Sequence, residues 1–461
     1  MTHSLISPLS PLDGRYAPLV ADLAEVFSEH ALNRTRLEVE IEWFIALTEH
    51  GVAGTQALDA STQSALRALV ESFDQTEAAA LKAIEDTTQH DVKAVEYYLR
   101  GKLAQLGLSH YQELTHFAAT SEDINNLSYA LMVKRSVHTV WLPAAKAVQG
   151  ELARLARLWR SVPVLAKTHG QPATPSTFGK EIAVFAHRLG GQIARVESCD
   201  YPGKYNGATG TYSAHQVAWP DANWPGISQK FVEGLGLRWN PLTTQIEPHD
   251  GQVQLFQALQ QAGRVAHNLC TDIWSYISMG YLRQTPVAGT TGSSTMPHKI
   301  NPIRFENAEA NLEVASGLFD TLASTLSTSR LQRDLTDSSM QRTIGMALGH
   351  QLVAWKNILR GLGEIDIDAD AMDADLEANQ EVLAEAIQTV IRAEIVLGNS
   401  RIDDPYDVVK GLTRGVRVTP EAFHTFIEGL DISDGAKARL LALTPQRYVG
   451  LADSLVDYLE G

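Results

Sequence analysis

The chain has 461 residues, 44% of them hydrophobic and 20% charged, with a formal net charge of -16. That length exceeds one ordinary core and predicts about three domains, while the charge argues against nucleic acid held by general basic attraction and requires any anion site to be locally basic. Two cysteines, Cys199 and Cys270, stand in no metal or redox spacing, no basic-then-apolar leader opens "MTHSLISPLSPLDGRY", and no apolar run reaches bilayer length, so a cytoplasmic protein with no membrane segment is expected.

Helical periodicity runs from Ala21 to about Gly107, in pieces parted by "EHGVAGTQ" and "AIEDTTQHD". From Ser121 to Trp159 the pattern lengthens through Leu127, Leu131, Val137, Trp141, Leu152 and Leu155, with a kink expected at Pro143. Residues 200–250, rich in Gly, Pro, Trp and Tyr, read as an irregular excursion. Between Gly251 and Gly280, Leu255, Leu259, Ala262, Ala266, Leu269, Ile273 and Ile277 form the apolar stripe of an amphipathic helix. "TTGSSTMPHKINP" at 290–302 interrupts it, and Leu312, Ala315, Phe319, Leu322 and Leu326 resume the pattern, as does a further helix around Leu348 to Leu362. Beyond "EIDIDADAMDADLEAN" the helices shorten, and "LGNSRIDDPYDVV" reads as loop. The expected fold is all-α, with an N-terminal helical domain at 1–110, a central long-helix bundle at 111–364 and a C-terminal helical domain at 365–461.

Three segments place reactive residue types at expected helix starts. Asn301 is a natural cap with Pro302 first in its helix, Thr174 and Pro175 repeat that arrangement, and Thr120 or Ser121 caps a first turn holding Glu122 and Asp123. Free N–H groups and a partial positive charge make such ends attractive to carboxylates and phosphates. Each feature also has an ordinary structural meaning. Hydroxyls before helices are commonly only caps, a lone His169 is commonly a hydrogen-bonded structural residue, and Lys299 could be a solvated loop charge. Gly292, Ser293 and Ser294 are harder to explain that way: a glycine-flanked segment between long helices suits a lid that closes over a ligand.

"GSSTMPHKINP" closely resembles the signature of the fumarase/aspartase superfamily of fumarate-releasing lyases. "TSEDINN", "KTHGQPATPST", "TTQIEPHD" and "SRLQRDLTDSS" look like the adenylosuccinate lyase family, in the bacterial form that opens "SPLDGRY". The likeness runs from about Ser10 to "TPQRYVG", nearly the whole chain. One departure is Gln89 in "TTQHD", where the family usually carries asparagine.

The resemblance implies a three-domain fold whose central bundle forms a homotetramer core, with each active site drawn from three subunits. It implies a C–N lyase of purine biosynthesis that β-eliminates fumarate from adenylosuccinate, giving AMP, and from the succinylated aminoimidazole carboxamide ribotide. No cofactor and no metal are implied. His169 is the implied acid and Ser293 the implied base. The implied substrate-binding set is Arg15, Tyr16, Gln89, His90, Asp91, Thr120, Ser121, Gln245, Lys299, Ile300, Asn301, Asn307, Arg333, Ser338, Ser339, Met340, Gln341 and Arg342. Arginines and hydroxyls fit recognition of phosphate and carboxylate.

Three other readings compete with this one. The His-Asp pairs in "QHD" and "PHD" occur in metal-dependent phosphohydrolases, but no compact ligand set accompanies them. A non-enzymatic scaffold could dispense with Ser293 and His169, and both are present. Within the superfamily, the alternative is another fumarate-releasing enzyme such as an argininosuccinate lyase.

Overall fold

The computed structural model describes residues 8–285, 296, 299–413 and 418–460. Helices dominate; strands among the described residues are two or three residues long and pair only two at a time. The expected all-α class holds. No helix among the described residues is long and apolar enough to cross a membrane. The chain divides into two compact units: residues 1–146, 192–267 and 308–356 form the first, and 147–191, 268–307 and 357–461 the second.

In the first unit the helix Glu29–Glu49 begins at Ser28, whose Oγ accepts from the Ala31 amide at 3.2 Å. Leu37, Val39, Ile41, Trp43 and Phe44 within it are wholly buried. Arg36 and Glu40 are buried beside them, so the helix is enclosed on most sides rather than laid on a surface by one apolar face. Trp43 packs against Tyr205 with ring centroids 3.9 Å apart, and its indole N–H donates to the Phe117 carbonyl at 3.2 Å. Replacing such an enclosed indole by alanine costs about 3–5 kcal/mol.

The helix Ser121–Arg135 packs along Glu29–Glu49 and buries polar residues as well as apolar ones: Glu122, Asp123, Asn125 and Asn126 all lie inside. Its start is bolted to the following irregular segment. Asn126 accepts from the Lys204 amide at 2.8 Å and donates to the Lys204 carbonyl at 3.0 Å, as a neighbouring strand would. Further along the unit, Phe256 stacks on Phe319 at 5.8 Å, His350 Nδ1 lies 2.8 Å from Asn311 Oδ1, and Gln351 donates to the Leu259 carbonyl at 2.7 Å. These contacts join parts of the helices Asp250–Ser278, Ile303–Leu326 and Ile344–Leu362.

In the second unit Phe178 sits between Trp159 (5.5 Å) and Tyr276 (5.0 Å). Gly179 is needed there, because a Cβ would run into the Ala156 carbonyl and the Arg160 backbone. Toward the carboxyl end, Leu383, Ile387, Ile391, Phe423, Ile427 and Leu440 form a separate apolar core.

Several boundaries differ from the sequence reading. The break expected across "AIEDTTQHD" is narrower: the helix Gln75–Thr88 continues to Thr88, and the next, Asp91–Gln105, starts after Gln89 and His90. The irregularity expected at Pro143 lies just before it, in a π-helical turn at Ser136–Trp141. Proline cannot donate to the carbonyl four residues back and its ring crowds that oxygen, so the ladder widens ahead of it. The 200–250 excursion contains two helices, Ser213–Ala218 and Trp224–Gly234. "LGNSRIDDPYDVV" is loop only to Asp404, since Pro405 opens the helix Pro405–Thr413.

Two expected caps also move. Thr174 and Pro175 do not start a helix: Ser176–Thr177 instead pairs antiparallel with Pro163–Val164, and the helix Phe178–Glu197 starts after Thr177, whose Oγ1 accepts from the Lys180 amide. The helix expected from Asn301 and Pro302 begins at Ile303, so Pro302 takes the cap position and its carbonyl accepts from Phe305 and Glu306.

Candidate active site

A cleft of about 210 Å³ in the first unit is lined by Arg36, His90, Asp91, Ser121, Asn125, Tyr129, Arg333, Leu335, Ser338 and Arg342. Six of these, His90, Asp91, Ser121, Arg333, Ser338 and Arg342, belong to the substrate-binding set expected from sequence. Four separate stretches of chain therefore meet in one place.

Local structure explains each position. His90 caps the helix Asp91–Gln105, its Nδ1 accepting from the Lys93 amide at 3.2 Å. Asp91, in that helix's first turn, accepts through Oδ2 from Arg36 at 2.8 Å and Arg342 at 3.1 Å. Burial pushes its carboxyl pKa up, but Arg36, the Val92 amide and Arg342 reverse this and hold it below the ordinary carboxylate range. Thr120 caps Ser121–Arg135, and its own amide donates to Asp123 Oδ2 at 2.9 Å. That fixes Ser121 at the helix start, facing the cleft.

Arg333 is held by three side chains. Its Nη2 donates to Ser338 Oγ and to Glu122 Oε1, both at 2.9 Å, and its Nη1 to Gln245 Oε1 at 3.2 Å. Burial drives the Glu122 carboxyl pKa upward against the pull of Arg333. Ser338, Ser339, Met340 and Gln341 share the short helix Thr336–Gln341; Ser339 is exposed, whereas Gln341 is buried and donates to Gln252. Gln89 is exposed at the preceding helix end with φ +53°, its amide donating to the Asp86 carbonyl at 2.7 Å. Arg15 is exposed beside Tyr16, the cap of Ala17–Ala24.

The remaining expected residues belong to the second unit. His169 and Gly170 form the two-residue turn between Lys167–Thr168 and Gln171–Pro172, and both have positive φ, +53° and +73°. A type I′ hairpin demands this of both turn residues, and histidine tolerates it better than most. The imidazole is thus carried on a tight, exposed tip. Lys299 and Ile300 are exposed, the Ile300 carbonyl accepting from Gln284 at 2.7 Å; Asn301 is half-buried, and Asn307 accepts from Asn357 at 3.0 Å. Ser293, the expected base, lies outside the described residues.

Sequence reasoning missed Arg36, Glu122, Asn125 and the buried pair Asp123–Lys204. For Arg36, Glu122, Asp123 and Asn125 the signal was present: charged and amide side chains stand where the apolar stripes of Glu29–Glu49 and Ser121–Arg135 continue past them. Among the described residues no group of three or more His, Cys, Asp or Glu side chains is arranged to hold a metal ion. In the "PHD" segment, His249 Nε2 lies 3.4 Å from Asp337.

The helical fold recurs in solved structures. A fumarate lyase from Mesorhizobium sp. BNC1 matches with TM-score 0.75 at 17% identity, over 95% of this chain and 97% of that one. A 3-carboxy-cis,cis-muconate lactonizing enzyme from Pseudomonas putida matches with TM-score 0.72 at 20% identity, over 95% and 96%. Residues 14–317 match the family model described as "Lyase". The structures show the shared fold, and the family match places the chain among the lyases of the fumarase/aspartase superfamily. Residues 329–449 match the model "Adenylosuccinate lyase C-terminal". Curated adenylosuccinate lyases of Escherichia coli (strain K12) and Vibrio cholerae are each 44% identical to this chain over 462 residues, covering 100% of both sequences in each comparison. The chain belongs to the adenylosuccinate lyase family.

Proposed function

We propose that the chain cleaves adenylosuccinate to AMP and fumarate, and the succinylated aminoimidazole carboxamide ribotide to the free carboxamide and fumarate. The observation that carries this is the cleft in which Arg36, Arg333, Arg342, His90 and two serine hydroxyls converge. Such a lining suits a substrate bearing a phosphate and two carboxylates.

On this reading Ser293, as an alkoxide, removes a proton from the carbon beside a substrate carboxylate. The resulting aci-carboxylate carries two negative charges on one group, so electrostatic stabilisation dominates the demand. Lys299 and Asn301 answer it. The carbanion's electron pair then forms the C=C bond of fumarate as the C–N bond breaks, and His169 protonates the departing nitrogen. Arg15, Tyr16, Gln89, His90, Asp91, Thr120, Ser121, Gln245, Ile300, Asn307, Arg333, Ser338, Ser339, Met340, Gln341 and Arg342 bind substrate. The reading needs no cofactor or metal and assigns the enzyme to the cytoplasm.

The same reading has the three-part division at 110 and 364 and a homotetramer with sites shared among three subunits. Exposed apolar side chains on the long helices, among them Val184, Trp274, Val314 and Met346, support packing against further copies. The exposed His169 tip supports a site completed by another subunit.

The test is fumarate release with adenylosuccinate, argininosuccinate, aspartate and malate in parallel. Only adenylosuccinate should be turned over, and His169→Ala and Ser293→Ala should each lower kcat by ~10²–10⁴. Turnover of argininosuccinate without adenylosuccinate would overturn the assignment.

A further inference from the structure

Arg333 and Arg342 are joined through the protein interior by an unbroken line of hydrogen bonds. Glu122, 1% exposed, accepts through Oε1 from both Arg333 (2.9 Å) and Asn125 Nδ2 (3.1 Å). Asn125 in turn accepts through Oδ1 from Arg36 Nε at 3.0 Å. Arg36, 2% exposed, reaches Asp91 Oδ2, the oxygen that also takes Arg342. The second Glu122 oxygen is buried with no hydrogen-bond donor among the described residues.

Stability is a poor reason for such a line. Removing charges from water costs as much as their pairing returns, and apolar residues of similar volume would hold these helices together at least as well. A carboxylate left half satisfied in the interior is costlier still. What the line does accomplish is geometric, because each guanidinium is planar and its donors are fixed in direction.

Resting on the substrate reading above, we propose that Glu122, Asn125 and Arg36 are positioning residues that set the spacing and tilt of Arg333 and Arg342 for one polyanionic ligand. None of the three need touch the reacting atoms. The proposal makes a prediction of sign. Judged by charge alone, Glu122 repels an anion in this cleft, so its neutralisation should tighten binding. Judged by positioning, the same change weakens the hold on Arg333 by removing the charge from its acceptor, and should weaken binding.

The experiment measures kcat and KM with adenylosuccinate for the wild type, Glu122→Gln, Glu122→Ala and Arg36→Lys, alongside thermal melting with and without inorganic phosphate. Glu122→Ala and Arg36→Lys should raise KM about tenfold, the worth of one charge-assisted hydrogen bond, with kcat within about threefold of wild type. Glu122→Gln keeps an acceptor for Arg333 and should fall between wild type and Glu122→Ala. Phosphate should raise the melting temperature of the wild type more than that of the variants. A KM that is unchanged or lowered in Glu122→Gln overturns the proposal, and that isosteric variant decides alone if Glu122→Ala does not fold. A fall in kcat with KM unchanged also overturns it. Should the wild type release no fumarate from adenylosuccinate, the substrate reading fails, and the phosphate shift still decides the relay: equal shifts in all four proteins would rule it out.

Discussion

Asp123 and Lys204 form an ion pair with neither side chain exposed, Nζ to Oδ1 at 2.8 Å. Removing one partner of a buried pair destabilises by about 3–5 kcal/mol, because the other charge is left uncompensated. The structure separates the two ends of that range. In Lys204→Met the carboxylate keeps three backbone donors, the amides of Thr120 (2.9 Å), Asn206 (3.0 Å) and Gly207 (3.1 Å). The expected loss is therefore about 3 kcal/mol, at the lower end. In Asp123→Ala the ammonium keeps, among the described residues, only the Gly207 carbonyl at 3.3 Å, and those three amides are orphaned together. The expected loss is about 5 kcal/mol or more. Equilibrium urea unfolding followed by tryptophan emission, at one fixed protein concentration, reads both numbers. The double variant should lose less than the sum by about 2–3 kcal/mol, since no lone charge remains. Losses under about 1 kcal/mol, or Lys204→Met costing more than Asp123→Ala, would refute this account of the pair.

Gln89 occupies a left-handed position at a helix end, φ +53°, which costs most residues about 1–2 kcal/mol and asparagine less. Gln89→Asn should accordingly raise stability by about 0.5–1 kcal/mol, read from the urea midpoint; a lowered midpoint would refute this and assign the larger share to the Gln89–Asp86 bond. His215 is wholly enclosed, and burial, outweighing the pull of Asp123, lowers its pKa to about 4. The unfolded chain then binds the proton more tightly, so this residue's share of stability is intact above the ordinary histidine pKa and is lost as pH falls toward 4. Between pH 7 and pH 5 the wild type should lose about 2 kcal/mol that His215→Phe does not; equal losses would exclude His215 as the source.

Much of this fold is legible in the sequence because long helices advertise themselves through three- and four-residue apolar spacing. The stripe from Leu255 to Ile277 falls inside one helix, Asp250–Ser278. What was not legible turned on local competition. Thr174-Pro175 has the chemistry of a helix start, yet Ser176 and Thr177 gain backbone partners on Pro163–Val164, which local sequence does not reveal. Pro405 reads as a loop residue until it is placed at the first turn of a helix, where its missing N–H carries no penalty. The site divides in the same way. His90, Ser121 and Arg333 could be proposed because the segments that carry the family resemblance, "TTQHD", "TSEDINN" and "SRLQRDLTDSS", are short and local. Arg36 and Asn125, 89 positions apart, could be paired only once the two helices lay side by side.

An acidic chain that handles a polyanion needs its positive potential concentrated in one place. The formal charge of -16 is spread over a surface that salt screens beyond about 8 Å at physiological ionic strength. The cleft works inside that distance. Three arginines line it, and two helices, Asp91–Gln105 and Ser121–Arg135, present their N-terminal residues to it. The carboxylates nearby do not cancel this field so much as give it direction: Asp91 holds Arg36 and Arg342 while Glu122 holds Arg333. On the proposed reading, a phosphate or carboxylate entering the cleft meets guanidinium groups already oriented, and it need not order long flexible side chains as it binds. If the positioning proposal holds, the acidic residues closest to the cleft favour an anionic ligand through geometry, although by charge alone they oppose it.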